Sequence, residues 1–513
     1  MAAIVLCTIN AKWIHPSLAL RLLRANLPEN TGKENSVILE FALRQRPEEK
    51  TAAVLAEAPE ILALSVSVWN HEATLELLRA LEQEWAKGGS RPVIVLGGPE
   101  ITGLAETAEE AAAEATGSGD PADSARPPDG APVIFRYADF VVCGEGELVF
   151  AELCRAVLED PKAAKKRFGT VIRAGAVNPA TVKSGYEFYT GEDIQKKLMY
   201  VEASRGCPYA CAFCQSARKP ERGEPPVRYF PLEPFLSGVE NLLNRATDGA
   251  AKTRTIKFLD RSFNVNIPRA LKILEFCLTK AKKGFQFHFE MVPALFPREL
   301  RDMLAQFPPG SIRLEIGIQS FNPHTCALIN RASNPEEEAE VLRFLREKTN
   351  AILHADLIAG LPGEDLDSYG RGFDFLWTVL GGGKNKQTAE GIETARPFEI
   401  QPGILKCLPG TPVRAMIQDG SFAAVYNKTA PYEVIETDSL SAADMEKIKN
   451  FSRFWELIVN RNPFPELLPR LLPPETPVFS RFMEVSQKLL GCFGKNWGIP
   501  KRELERLLSA LFL

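Results

Sequence analysis

The chain has 513 residues, 45% hydrophobic and 25% charged, with 61 Lys and Arg against 65 Asp and Glu and a net charge of −4. At roughly 150 residues per domain this is room for about three domains, and the composition excludes a disordered, fibrous or collagen-like chain. The balance of charge lacks the broad basic footprint of a nucleic-acid binder, ten cysteines are too few for a disulfide scaffold of this length, and five histidines leave little room for a His-rich metal site.

The N-terminus, MAAIVLCTIN, lacks a basic region followed by a long apolar stretch and a small-residue cleavage site. No window approaches the roughly 18 uninterrupted apolar residues of a membrane span. The expectation is a cytoplasmic protein with no membrane association. Thiols in that compartment stay reduced, so closely spaced cysteines point to metal rather than disulfide.

Residues 2–8 read as a buried strand. The loop NAKWIHP follows, then an amphipathic helix over 17–27 with Ser17 as its N-cap. Further apolar strands are expected at 61–68, 92–96 and 139–143, with a helix over 72–86. Continuous apolar strands alternating with helices indicate a parallel, doubly wound, Rossmann-like sheet over 1–160. Ligands in such sheets bind at the carboxyl ends of the strands, which here fall at 8–10, 67–70, 97–100 and 144–147. The Ala-, Glu-, Gly- and Pro-rich stretch 105–132 reads as a flexible surface insertion. A connector over 161–195 leads to a second alternating region, 196–420. Its strands are expected at 199–203, 254–259, 285–290, 312–318, 352–358 and 398–406. Six such steps predict a partial (β/α)6 barrel rather than a closed eightfold one. The Leu-, Phe- and Pro-rich remainder, 421–513, reads as a small helical domain with helices over 441–460 and 475–491. The fold class is α/β.

Directly after strand 199–203 comes SRGCPYACAFCQS, with Cys207, Cys211 and Cys214 inside eight residues. Three thiolates can hold three irons of a four-iron cluster and leave the fourth iron open to a substrate. A zinc knuckle is the alternative. It would need a fourth ligand, and the nearest other cysteines are Cys154 and Cys277, with no histidine between them.

At these residues the chain resembles the radical S-adenosylmethionine (SAM) superfamily. The resemblance covers about 199–414, and Phe213 before the last cysteine fits the same pattern. It implies a 4Fe-4S cluster whose open iron binds the amino and carboxylate groups of SAM, with reductive cleavage to a 5′-deoxyadenosyl radical. RLEIGIQSF (313–321) resembles the strand of the oxygen-independent coproporphyrinogen oxidase group that carries a SAM-contacting glutamine, here Gln319. The same group implies SAM contacts for Arg331 in INRAS, Asp356 in DLIAGLPGE and Glu290 in HFEMVP. KCLPGTP (406–412) resembles the sixth-strand segment of that branch. FLDRSFNVN (258–266) stands where relatives carry a glycine-rich segment meeting the SAM amino group, and Asp260 occupies that place. Each residue alone could be a strand-end or turn residue; their order after the three-cysteine loop favours the SAM assignment.

The first domain resembles the cobalamin-binding domain that precedes many radical SAM domains. The marks are TINAKWIHPSLAL, SVSVWN, VLGGPE and FVVCGEGE. They imply cobalamin contacts at Thr8 and Asn10, at Ser65, Ser67, Val68, Trp69 and Asn70, at Gly97, Gly98, Pro99 and Glu100, and at Gly144, Glu145 and Gly146. The Asp-x-His-x-x-Gly signature whose histidine ligates cobalt is absent. His15 stands in the equivalent loop, but Trp13 and Leu18 replace the Asp and Gly. No histidine ligand to cobalt is expected, and His15 is expected to pack against the helix that it precedes. A degenerate Rossmann fold without cofactor is the alternative.

The whole resembles the class of cobalamin-binding radical SAM proteins with a helical C-terminal domain. That implies methyl transfer from SAM, through methylcobalamin, to an unactivated carbon of a small molecule or peptide. It also implies an electron donor such as flavodoxin or ferredoxin, a monomer, and no nucleic-acid partner. A non-methylating rearrangement, cyclisation or oxidation stays open. A methylthiotransferase acting on RNA would need three more N-terminal cysteines as cluster ligands, and only Cys7, Cys143 and Cys154 precede the loop. A non-catalytic cobalamin or metal sensor would not need Gln319, Arg331 and Asp356. The other seven cysteines are expected to be buried small hydrophobes.

Overall fold

The apolar run Ile4–Asn10 forms β1 and is buried along its whole length. The structure is a computed structural model that describes residues 2–116, 132–217, 224–247, 254–382, 386–388, 391–393 and 398–512. Around β1 a parallel sheet assembles from β2 (Ser36–Ala42), β3 (Ile61–Ser65), β4 (Val93–Gly97), β5 (Phe140–Cys143) and β6 (Val171–Arg173). Its order is β2-β1-β3-β4-β5-β6. The chain steps outward to β2 and returns to β3, so the carboxyl ends of β1 and β3 flank a switch point.

Four of these strands match the sequence expectation. β2 is half-buried and interrupted by Glu40, and β6 has only three residues, so neither carries a continuous apolar run. β6 lies inside the stretch read as a connector. The strand expected over 61–68 stops at Ser65, because the Ser67 N–H donates to the Asn70 side chain at 2.8 Å and turns the chain. The helix Pro99–Thr116 takes up the start of the expected insertion, and 117–131 lie outside the described residues. Ser17 caps the helix Leu18–Asn26 by accepting from the Leu20 N–H.

The second sheet holds β7 (Met199–Val201). A short hairpin, β8 (Ser204–Gly206) with β9 (Val227–Tyr229), follows it. β10 (Thr255–Phe258), β11 (Gln286–Met291), β12 (Ile312–Gln319) and β13 (Ile352–Ala359) come next. A small hairpin, β14 (Lys386–Thr388) with β15 (Gly391–Glu393), precedes β16 (Phe398–Ile404). The six long members run parallel in the order β16-β13-β12-β11-β10-β7, an open arc in sequence order. This is the expected partial barrel. Alternate residues of β11, β12 and β13 are buried under the helices, while the other face stays half-open.

Beyond β16 a hairpin, β17 (Ala424–Tyr426) with β18 (Val434–Thr437), leads into the helices Ala442–Trp455, Val478–Phe493 and Lys501–Phe512. Phe451, Trp455, Phe479 and Phe482 pack among themselves and onto Phe373 of the barrel helix Leu366–Val379. The Asn460 side chain pairs with both main-chain groups of Ile400, at 3.2 and 3.0 Å, and occupies the free edge of β16. The C-terminal part therefore shares one core with the barrel, although its composition reads as a separate unit. Among the described residues no helix is long and apolar enough to cross a membrane.

Candidate active site

Cys207 follows β8 directly, and Cys211 and Cys214 lie on the turn behind it. Two barrel loops clamp that turn: the Ala212 N–H donates to Ile329 O at 2.9 Å, and the Val413 N–H donates to Ala212 O at 2.8 Å. The Asn330 amide adds a bond to Ala210 O at 3.1 Å. Cys211 is buried, while Cys207 and Cys214 are half-exposed. The Ser216 N–H points at the Cys214 Sγ at 3.3 Å. Burial raises the thiols of Cys207 and Cys211, while Ser262 beside the first and Arg331 beside the second pull them down. Among the described residues no three His, Cys, Asp or Glu side chains converge on a single ion. Cys154 and Cys277 are buried in other cores. The loop thus presents three spread thiols with donors to sulfur, a fit for three corners of a cluster. Six of the other seven cysteines are buried as expected; Cys492 corrects the expectation, being exposed on the last turn of its helix.

The inner face of the barrel is polar. Glu315 takes Lys257 Nζ at 2.9 Å and lies 2.9 Å from His288 Nε2. Burial would raise Glu315, yet His288 and Lys257 hold it well below the usual carboxylate range. Glu290 has only distant cations, Arg261 at 3.7 Å and Lys257 at 3.8 Å, and burial raises its pKa. Asp356 accepts from His354 Nε2 at 3.0 Å and is also raised by burial. Gln319 sits at φ 72° where the register between β12 and β13 shifts, and its Oε1 is buried without a partner. A left-handed glutamine with an orphan acceptor is a strained residue positioned for a missing donor. Arg331 donates to Gly317 O within the same irregularity. Phe213 packs, half-buried, on the barrel core. Glu290, Gln319, Arg331 and Asp356 therefore gather around the open end of the barrel beside the cysteine loop.

Asp260 departs from the expected direct contact. It is 2% exposed and accepts from the Ala203 N–H at 3.0 Å and from the Ser204 hydroxyl at 2.5 Å. Burial pushes its pKa up to about 6. Its oxygens are spent on holding the turn between β7 and β8. The adjacent Arg261, with Leu259 on the other side, lines the cavity between the domains.

That cavity, about 480 Å³, lies where the carboxyl ends of β3, β4 and β5 face the cysteine loop. Its inner wall is apolar, with Ala63, Val95, Val142 and Phe150 from the sheet side and Leu20 and Leu23 from the helix Leu18–Asn26. Of the residues expected to meet cobalamin, Ser65, Gly97, Gly98, Pro99, Gly144, Glu145 and Gly146 line this cavity. Gly98 has φ +105°, and a Cβ there would come 2.4 Å from Val66 O, so the strand end can turn only as glycine. From the barrel come Gln215, Ser216, Leu259, Arg261 and Pro409. The cavity suits a large group with an apolar tail, held between the sheet and the cysteine loop.

The remaining expected contacts are absent from its lining. Thr8 and Asn70 are buried in a bracing network: Thr8 donates to Ser65 O at 2.9 Å, and the Asn70 amide donates to Ile9 O at 2.9 Å. Ser67 is held by Asn70, and Asn10 by Glu40. Val68 packs on the barrel core, and Trp69 is 52% exposed. Glu100 is buried between His71 Nδ1 at 3.1 Å and the Tyr432 hydroxyl at 2.5 Å, linking the first domain to the β17–β18 hairpin. His15 Nδ1 meets the Tyr200 hydroxyl of β7 at 2.6 Å with the rings stacked, so it packs on the barrel rather than on the helix it precedes.

Sequence reasoning missed the ion network across the interface. Arg205, beside Cys207, reaches Glu147 at 2.5 Å, Glu202 at 3.1 Å and Glu145 at 3.3 Å; Arg228 of β9 also holds Glu145, at 2.5 Å. The only signal was an arginine and two glutamates adjoining the cysteine and glycine motifs.

Residues 201–376 match the family model described as the radical SAM superfamily. The ribosomal protein uS12 methylthiotransferase RimO of Myxococcus xanthus (strain DK1622) is 24% identical over 180 residues, which is 34% of this chain and 36% of that protein. The oxygen-independent coproporphyrinogen III oxidase of Paracoccus denitrificans (strain Pd 1222) is 24% identical over 162 residues, 31% of this chain and 35% of that protein. The chain thus spans about a third of the length of these curated relatives. Among solved structures, the radical S-adenosylmethionine methyltransferase TsrM from Kitasatospora setae, with cobalamin and a 4Fe-4S cluster bound, aligns with a TM-score of 0.57 at 14% identity, over 96% of this chain and 100% of that one. The cobalamin-dependent S-adenosylmethionine radical enzyme OxsB, with aqua-cobalamin and S-adenosylmethionine bound, aligns with a TM-score of 0.60 at 15% identity, over 99% of this chain and 75% of that one. At these identities the likeness is one of fold. Residues 201–376 of the barrel thus match a radical SAM domain, and the whole chain has the fold of these two enzymes.

Proposed function

We propose that this chain is a cobalamin-dependent radical SAM methyltransferase acting on an unactivated carbon of a small molecule or peptide. The observation that carries the reading is the cavity walled by strand ends of the first sheet and by residues flanking Cys214 and β10. A group bound there would face both the cysteine loop and the barrel mouth. When bound, the cluster, SAM and cobalamin supply radical generation and a transferable methyl group, chemistry that no side chain can provide.

The chain's own part is holding and orienting. Cys207, Cys211 and Cys214 would hold the cluster. Gln319, with its unpaired Oε1, and the carboxylates of Glu290 and Asp356 would accept hydrogen bonds from SAM, and Arg331 would brace the bulge that aims Gln319. The apolar wall of Ala63, Val95, Val142 and Phe150 would take the nucleotide tail of cobalamin, as the small residues at Gly97, Gly98 and Gly144 allow close approach. His15 is already bonded to Tyr200, which fits a cobalt without a histidine ligand. Cys7 and Cys143 are buried on one face of the first sheet and Cys154 on the other. They cannot jointly ligate one cluster, which disfavours the methylthiotransferase alternative. The near-neutral charge favours a small molecule or peptide over RNA, and reduction would come from a flavodoxin or ferredoxin in the cytoplasm.

The test is anaerobic reconstitution with iron, sulfide and cobalamin, followed by reduction with SAM. The expected results are bound cobalamin by visible spectrum, release of 5′-deoxyadenosine, and loss of that release in Cys211→Ala. A product heavier by one methylene unit supports methyl transfer. 5′-Deoxyadenosine release with an unmethylated product would move the reading to a rearrangement, cyclisation or oxidation. A protein that takes up no cobalamin under excess refutes it.

A further inference from the structure

Both ring nitrogens of His354 face carboxylates. Nδ1 is 3.0 Å from Glu399 Oε2, on the neighbouring β16, and Nε2 is 3.0 Å from Asp356 Oδ1, two residues along its own strand. A neutral imidazole has one N–H and could satisfy only one of these acceptors. The imidazolium donates to both carboxylates; the neutral Nε2–H tautomer donates to Asp356 alone and leaves Nδ1 to accept from Arg313. Arg313 from β12 lies 3.1 Å from Nδ1 and shares Glu399 with it, and Glu315 faces the ring from the same strand. Glu399 thereby anchors the ring from behind, while Asp356 is held at one oxygen only, with its side chain 23% exposed at the barrel mouth.

We infer that His354 is a positioning residue: clamped by Glu399, it fixes the orientation of the Asp356 carboxylate and so sets the affinity of the barrel for SAM. The inference rests on the reading of Asp356 as a SAM contact. The geometry gives it a function that a packing histidine lacks. Burial and Glu315 raise the Asp356 carboxyl, while His354 and Lys257 pull it down. The His354 N–H keeps one oxygen occupied and the charge in place, leaving the second oxygen as a fixed acceptor. Burial lowers the pKa of His354, but the bonds to Asp356 and Glu399 outweigh it and bring it to about 9. The clamp therefore carries its full charge at neutral pH and loses that charge, with the bond to Glu399, in alkali.

The test measures the SAM dissociation constant from pH 6.5 to 10 on protein with a full cluster, for the wild type, His354→Ala, His354→Gln and Asp356→Asn. Cluster absorbance and thermal melting serve as controls for folding. The wild type should bind evenly at low pH and weaken as pH passes about 9. His354→Ala should bind about tenfold more weakly at pH 7.5 and lose the alkaline limb. His354→Gln can still donate one N–H to Asp356, so it should recover part of the affinity without recovering the limb. Wild-type affinity and an unchanged alkaline limb in either His354 variant overturn the inference, and His354→Gln decides the matter if His354→Ala does not fold. If Asp356→Asn binds SAM as the wild type does, or if loaded wild-type protein takes up no SAM, the SAM-site reading itself fails.

Discussion

His354 also bears on stability. Its pKa is raised from 6.5 to about 9 in the folded chain. The native state then binds a proton that the unfolded state releases between those values. Its contribution is present in full below pH 6.5 and is lost as pH rises through 9, with a size of about 3 kcal/mol. Three acids act in the same direction at lower pH: burial pushes Glu202 and Glu338 up to about 7 and Asp260 up to about 6, so all three ionise at a cost as pH rises. Burial lowers His15 and His288, which act in the opposite sense up to about pH 6.5, so the melting midpoint should fall from pH 7 to 9, and His354→Gln should flatten that fall. A midpoint that rises across this range refutes the assignment. Gln319 gives the opposite kind of test. Its left-handed backbone and buried orphan oxygen cost stability at a residue the fold does not need. Gln319→Gly should leave the melting midpoint no lower, within about 1 kcal/mol, while SAM binding weakens several-fold. A large loss of stability with unchanged binding would make Gln319 structural.

At the scale of elements, the helix Pro99–Thr116 is one part of the first domain that meets the barrel. A Cβ on Gly103 would come 2.4 Å from Pro409 O, and the Thr107 hydroxyl accepts from the Gly410 N–H at 3.2 Å. Backbone against backbone cannot yield as a side chain can. Gly103→Ala should cost about 1–3 kcal/mol by overpacking and should reduce cobalamin uptake, since Gly103 and Pro409 both border the cavity. An alanine variant with wild-type melting and uptake would refute the close contact. The same helix shows what sequence can and cannot convey. Its Ala- and Glu-rich composition reads as a loose insertion, yet both residues are strong helix formers once one face is covered. The apolar runs that became β1, β3, β4 and β5 were legible because both of their faces are buried. β2 and β6 are edges without such a run. In the barrel, the order of motifs singled out Glu290, Gln319, Arg331 and Asp356, which the fold brings to one end. It could not reveal that Asp260 faces inward as a brace while Arg261 faces the cavity, because that choice is made by a loop with no period. Nor could it show that Thr8, Asn70 and Glu100 are consumed by structural bonds, since pairing partners 29 to 332 residues apart leave no local trace.

Across the whole molecule, the first domain and the barrel are joined by charge as well as by packing. Arg205 is 9% exposed and takes three carboxylates, Glu145 and Glu147 from the loop after β5 and Glu202 from the end of β7. One guanidinium therefore ties the strand end that lines the cavity to the strand that delivers Cys207. Deep in such an interface the surplus of negative charge is tolerable only while Arg205 and Arg228 are present. Arg205→Met keeps most of the side-chain volume and removes the charge, leaving Glu147 buried and unpaired. The loss should be about 3–5 kcal/mol, the range for breaking a buried pair from one side. It should appear in calorimetry as two transitions in place of one, with the first domain separating from a barrel that still retains its cluster absorbance. Glu147→Gln in the Arg205→Met background removes part of the stranded charge and should restore part of the loss, a coupling that a simple packing defect would not show. A single transition at the wild-type temperature in Arg205→Met would mean that the domains are held by their apolar contacts alone.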